Sequence, residues 1–236
     1  MNRRDTKFLL HIDDLEKLLV VARDRFLALD IDKVRYFRYE NTYYDTPDYL
    51  FYNQHHQQRV NRYKVRIRNY VDSGTHFLEI KFKNNKKQTL KNRIKLDNEF
   101  DYTLQSYRDF LAHYGIQKDL EIFPSTNCSY DRIALTSRDR TERLTIDMNL
   151  KNLVISAPQH CDKVLHEVGI IELKQSRINR NTELFRLIRQ FSSRPTNISK
   201  YCIGFSQISK EQNTVKFNRF KSTQNKIDKI KSKTRH

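Results

Sequence analysis

The stretch RYKVRIRNY, residues 62–70, places Lys64, Arg66 and Arg68 at alternate positions, with Val65, Ile67 and Asn69 following them in turn. Side chains on a strand repeat every two residues, so the three cations share one face. Residues of that type at that spacing suit a ligand carrying several negative charges. The same alternation recurs in five further segments. HFLEIKFK (76–83) puts Glu79, Lys81 and Lys83 on one face, and LKNRIKL (90–96) does so with Lys91, Arg93 and Lys95. SYDRIAL (129–135) pairs Tyr130 with Arg132, RLTIDMNL (143–150) aligns Arg143, Thr145 and Asp147, and GIIELKQ (169–175) aligns Glu172 and Lys174. With Lys7 and Lys200 these segments hold thirteen cations against Glu79, Asp147 and Glu172.

One charged face is ordinarily the wet side of an antiparallel sheet. Six of them raise an energetic difficulty. Two like charges about 6 Å apart repel by roughly 3 kcal/mol at an effective dielectric near 20. Several such pairs strain a domain whose whole stability is of order 10 kcal/mol. The face is tolerable when it is water-filled or holds a multivalent anion. Closing the sheet into a barrel, charge inside and helices outside, also removes its edges. Nucleic-acid grooves interleave cations with stacking rings, and these faces carry few aromatics beyond Phe77 and Tyr130. They carry isolated carboxylates instead. Glu172 beside Lys174 suits a hard divalent metal bridging phosphate oxygens, or serves as a neutralising partner for Lys174.

Other segments must position these strands. DDLEKLLVVARDRFLALD (13–30) has a helical apolar stripe with Asp13 or Asp14 as cap, and residues 36–45 read as a strand ended by the DTPD turn. Helices are expected at about 103–114, stopped by Gly115, and at 181–191. Tyr36, Phe37, Tyr39, Tyr43 and Tyr44 read as barrel packing, and His55 and His56 as solvent-facing loop residues. The 236 residues suit one large domain with a tail. Of the net charge of +17, +7 falls in residues 216–236, expected to be a flexible basic tail. A charge that size implies an anionic partner. Three cysteines without metal-like spacing read as reduced thiols, and no run spans a bilayer or reads as a signal peptide, so a cytoplasmic location is expected.

YYDTPD (43–48) followed by KVRIR (64–68) resembles the pattern of the triphosphate tunnel metalloenzymes, the CYTH superfamily. LEIKFK (78–83), LKNRI (90–94), YDRIAL (130–135), RLTIDMNL (143–150), IIELK (170–174) and SKYCIG (199–204) narrow this to a resemblance to the vacuolar transporter chaperone (VTC) catalytic domain, the polyphosphate polymerase branch. Each motif alone is weak; their order is specific, and it covers about residues 3–208.

The resemblance implies an α+β fold: an eight-stranded antiparallel β-barrel, the triphosphate tunnel, over residues 1–210, with helices packed outside and residues 211–236 as the tail. It implies transfer of the γ-phosphate of ATP to a growing polyphosphate chain that leaves through the tunnel, with Mn²⁺ or Mg²⁺ as cofactor. ATP and polyphosphate are then the partners, with no specific nucleic acid and with a membrane protein as a possible recipient. Lys7, Arg66, Arg68, Lys81, Lys91, Arg132, Arg143, Ser199 and Lys200 are implied to contact phosphate, and Glu172 to hold the metal. Lys64, Arg93 and Lys174 assist by position, and the chemistry rests on Arg66, Arg68, Lys200 and Glu172. The chain departs from the hydrolytic members, which open with Glu-x-Glu-x-Lys, where this sequence has Arg3, Asp5 and Lys7. A triphosphatase of the same fold and a polyphosphate-binding module without turnover are the alternatives.

Overall fold

Period-two alternation needs a sheet to bury its apolar half, and in the computed structural model these segments form one. The structure describes residues 4–86, 88–96, 105–155, 161–191, 193–212 and 215–232. Its strands are β1 (Arg4–His11), β2 (Phe26–Ala28), β3 (Phe37–Asp45), β4 (Arg62–Tyr70), β5 (Thr75–Lys83), β6 (Thr89–Leu96), β7 (Phe123–Ser137), β8 (Glu142–Val154), β9 (Cys161–Leu165) and β10 (Val168–Gln175). The helices are α1 (Ile12–Ala22), α2 (Leu50–His56), α3 (Gln105–His113), α4 (Glu183–Gln190), α5 (Lys200–Gln212) and α6 (Lys221–Lys231). The ten strands form one antiparallel sheet in the order β1-β10-β8-β7-β3-β4-β5-β6, with β2 added to β7 and β9 to β8.

Eight strands lie on that path, as expected, but among the described residues no ladder joins β1 to β6. The closed barrel is therefore corrected to a curled, open sheet. The free edge of β1 is occupied from elsewhere: the Thr196 amide donates to the Lys7 carbonyl at 2.7 Å, and the Ser193 hydroxyl donates to the Leu9 carbonyl at 2.9 Å. On β6, Lys91, Arg93 and Lys95 are exposed, and charge on an edge discourages further pairing.

Two of the three apolar clusters cover the outer face. Phe8, Leu144, Ile146, Ile171 and Leu173 pack under α1 and α4; Val65, Leu78, Ile80 and Leu96 pack with Phe51 of α2 and Leu111 of α3. The third lies on the inner face. Leu9, Ile170, Tyr39, Tyr43 and Tyr130 surround Tyr201, Cys202 and Phe205 of α5, with Ile227 and Ile230 of α6 behind them. The inner face is thus divided between a charged part and an aromatic plug.

Several local expectations are corrected. Helix α1 stops at Ala22, because Phe26–Ala28 pair with β7 and bury Phe26 against the outer cluster. Its N-cap is His11, whose ring Nδ1 accepts the Asp13 amide at 3.3 Å, rather than Asp13 or Asp14. His55 and His56 lie on α2, not in a loop. Tyr36 is 45% exposed and donates its hydroxyl to Asp131 at 2.8 Å, so it is not packing. The expected flexible tail contains α6, with Ile227 and Ile230 buried; the Lys and Arg residues of that stretch masked the two isoleucines one helical turn apart. Gly115 does end α3, in a φ of +90° where a Cβ would lie 2.5 Å from the Tyr63 hydroxyl. Residues 103 and 104 of that helix expectation lie outside the described residues.

Candidate functional site

Register sets which side chains meet. Arg66 faces Tyr43 across β3–β4 and Glu79 across β4–β5, and Arg132 faces Asp147 across β7–β8. Opposite residues on an antiparallel pair share a face. The cations predicted from alternation therefore project inward together, and three carboxylates organise them.

The first centre is Glu79, which is buried. Arg66 donates from Nε and Nη2 to Glu79 Oε2 at 2.8 and 2.6 Å, and Lys91 donates to Oε1 at 2.5 Å. Arg68 Nε stands 3.6 Å from the same carboxylate. Burial pushes the Glu79 carboxyl up, yet the charges of Arg66, Arg68 and Lys91 prevail and hold it down at about 2. The second centre is Asp147, also buried. Arg132 grips it with Nε and Nη2 at 2.5 and 2.8 Å, and Lys200 of α5 donates to the same Oδ2. Burial opposes its charge, but Lys200 and Arg132 keep the carboxyl low.

The third centre holds two carboxylates. Lys174 donates to Glu172 Oε1 at 2.6 Å and lies 3.4 Å from Asp5 Oδ2. Asp5 and Glu172 share a hydrogen bond, with the Asp5 carboxyl raised by burial and by Glu172, and the Glu172 carboxyl held low against burial by Lys7 and Lys174. Asp5 is the residue that the alternation of charges did not single out. Its signal was present in the shortened acidic position two residues before Lys7.

Among the described residues, three lysines at these centres make no ion pair with a carboxylate. Lys7 donates to the Ile198 carbonyl at 3.0 Å, and Lys64 donates to the Ser199 hydroxyl at 2.6 Å. Lys81 has no hydrogen bond or ion pair among the described residues. Burial lowers Lys7, and burial with Lys7, Arg66 and Arg62 nearby lowers Lys64 to about 8. The charge of Arg66, then burial and Arg68, pushes Lys81 well below its ordinary value. Lys64 on β4 feels Lys7 on β1, and Lys81 on β5 feels Glu172 on β10, so strands from both ends of the sheet path face one another across the curl.

Lys7, Lys64, Arg66, Arg68, Lys81, Lys91, Arg132, Lys174, Ser199, Lys200 and Glu172 thus converge. Two predicted residues do not join them. Arg93 is exposed on β6, 4.4 Å above the Phe77 ring, and Arg143 is exposed at the rim beyond Asp147. Among the described residues, nine inward basic side chains meet four carboxylates, a surplus of five basic groups. Alternation placed Tyr130 on the charged face beside Arg132, as found, but missed Tyr39 and Tyr43. Tyr39, Tyr43 and Tyr130 lie on the inner face, where Arg132 stands 5.1 and 5.2 Å from Tyr39 and Tyr130, and Lys200 4.5 Å from Tyr130.

A family model described as the VTC domain matches residues 2–209. The chain belongs to the VTC domain family. No curated protein matches it. Among solved structures, a Hippeastrum protein reported as a candidate adenylyl cyclase with a dominant triphosphatase activity aligns at 13% identity, covering 88% of this chain and 96% of that one with a TM-score of 0.56. At that identity the likeness is one of fold. PH1819 from Pyrococcus horikoshii aligns at 13% identity over 89% of this chain and 99% of that one, with a TM-score of 0.49. Within this VTC domain, all three carboxylate centres and the three lysines without carboxylates lie inside the matched residues.

Proposed function

We propose that this VTC domain is an ATP-dependent polyphosphate polymerase. The observation that carries the reading is the enclosed surplus of cations around Lys7, Lys64 and Lys81, whose charge a chain of phosphates would neutralise. Arg66, Arg68 and Lys91, fixed by Glu79, and Arg132 and Lys200, fixed by Asp147, form a rigid frame for phosphate oxygens. Preorganised charge of this kind is the main resource of phosphoryl transfer.

In the reaction an oxygen of the terminal phosphate of the chain, or of orthophosphate at the start, bonds to the γ-phosphorus of ATP. The bond from that phosphorus to the β–γ bridging oxygen breaks, and ADP leaves with the electron pair. Lys81, Lys64 and Arg66 hold the equatorial oxygens, while Ser199 and Lys200 orient the nucleotide phosphates. A phosphate oxygen at neutral pH needs no general base. Arg93 and Arg143 would guide the anion at the rim.

Glu172 would hold Mn²⁺ or Mg²⁺ together with Asp5. Their oxygens are the donors a hard divalent ion takes, and such an ion would take the place between them that Lys174 now bridges. Such an ion, when bound, offsets charge on the phosphate oxygens.

The same carboxylate pair favours a second reading, a triphosphatase, because it restores acidity that the sequence pattern lacks. Incubating the protein with ATP and Mn²⁺ separates the two. A phosphate ladder on a gel supports the polymerase; ADP and orthophosphate alone support the hydrolase; unconsumed ATP with tight polyphosphate binding defeats both.

A further inference from the structure

A cleft of about 550 Å³ lies outside the charged face, lined by His56, Gln57, Lys216, Asn218 and Arg219. It is a fixed structure. The Tyr52 hydroxyl donates to the Lys216 carbonyl at 2.9 Å, and His56 Nε2 lies 2.7 Å from Asn218 Oδ1, so the segment after α5 is held against α2. Among the described residues no carboxylate lines it, and neither Lys216 nor Arg219 has an acidic partner. Lys216, Asn218 and Arg219 lie beyond the residues the family model matches.

The cleft is continuous in charge with the inner face. Arg62 follows Lys64 on the same face of β4, two residues nearer the strand's start. Its guanidinium is anchored by Nε on His55 Nδ1 at 3.1 Å and by Nη1 on the Arg59 carbonyl at 2.6 Å. His55 is neutral there, pushed down to about 2 by burial and then by Lys64 and Arg62. Arg62 feels Lys64 on one side and Arg219 on the other. Lys81 faces Lys64 across β4–β5, and Arg62 carries that face on to the start of β4, where the charge of Arg219 reaches it.

We propose that this cleft is a second anion site, which takes the outer phosphates of a linear condensed phosphate whose inner end occupies the Lys64–Lys81 face. The inference rests on the phosphate-binding reading of that inner face. A condensed phosphate fits better than a nucleic acid, because the cleft presents no free ring for a base. His56, the ring in its lining among the described residues, stacks at 28° on Tyr52 and meets Phe220 edge-on.

Calorimetry with tripolyphosphate and with a long linear polyphosphate tests this on the full chain. The wild type should bind the long chain more tightly than tripolyphosphate. The double variant Lys216→Gln with Arg219→Gln should lose about tenfold in affinity for the long chain, in line with two charge-assisted contacts, and keep its tripolyphosphate affinity. Equal affinity of the wild type for both lengths, or a variant in which neither or both affinities fall, overturns the cleft. So does an oligonucleotide that binds more tightly than polyphosphate and is lost in the variant. A wild type that binds no tripolyphosphate overturns the reading of the inner face itself.

Discussion

Glu79 and Lys81 sit two residues apart on one face of β5, yet their surroundings are opposite. Glu79 is wrapped by Arg66, Arg68 and Lys91. Lys81 faces those same arginines with no ion pair of its own among the described residues, and the charge of Arg66, then burial and Arg68, pushes its ammonium well below the usual lysine range. The difference teaches how the domain divides its labour. Cations that share a carboxylate are frame, and lysines without one are the vacancy an anion fills. A buried pair broken on one side costs more than the pair was worth, because the remaining charge is left unpaired.

The largest effect expected from that contrast is the loss of Glu79. Glu79→Gln leaves two arginines and a lysine facing each other, and should destabilise the fold by about 3–5 kcal/mol in urea unfolding. A variant as stable as the wild type would erase the distinction between frame and vacancy. Next in size, Lys81→Ala should weaken tripolyphosphate binding by about 100-fold, the worth of a charge-assisted contact, while its melting temperature holds or rises as repulsion is relieved. A fall in melting temperature would make Lys81 part of the frame. Glu172→Gln should raise the Mn²⁺ concentration needed for half-maximal turnover by about tenfold, and a chelator should abolish turnover in the wild type.

A smaller effect comes from pH. Lys64 is charged below about 8, so tripolyphosphate affinity should fall severalfold between pH 7 and 9, whereas a frame cation would not titrate there. The sign for stability is the reverse. A lysine whose folded value lies below its unfolded one releases its proton first in the folded state, so the unliganded protein gains stability as pH rises from about 8 toward 10.5. Smallest of all, Arg93→Ala should change affinity less than about twofold, since its guanidinium is exposed and screened.

Much of the site was legible in the sequence because a strand's period of two needs no tertiary information. Lys64, Arg66, Arg68, Lys81, Lys91, Arg132 and Lys174 share the inner face as alternation placed them, and the ordered motifs reached the right family. Alternation could not say which cations were already paired. From sequence, removing Arg66 and Arg68 together should leave the fold intact or relieved of repulsion; the Glu79 pairing reverses that expectation, since the buried carboxylate would keep Lys91 as its one cationic partner. Nor could charge alternation show that β3 turns Tyr39 and Tyr43 inward, because its charges, Arg38 and Glu40, mark the opposite face. Nor could it show that, among the described residues, the edge of β1 pairs with residues 193–196 and not with β6.

Helix α6 carries a practical consequence. The family match ends at residue 209, and trimming the gene there would be a natural choice for expression. That cut would remove Ile227 and Ile230, bare the underside of Tyr201 and Phe205, and turn a plugged interior into sticky surface. The shortened protein should precipitate or be recovered with chaperones attached, so purification is best begun from the full 236 residues.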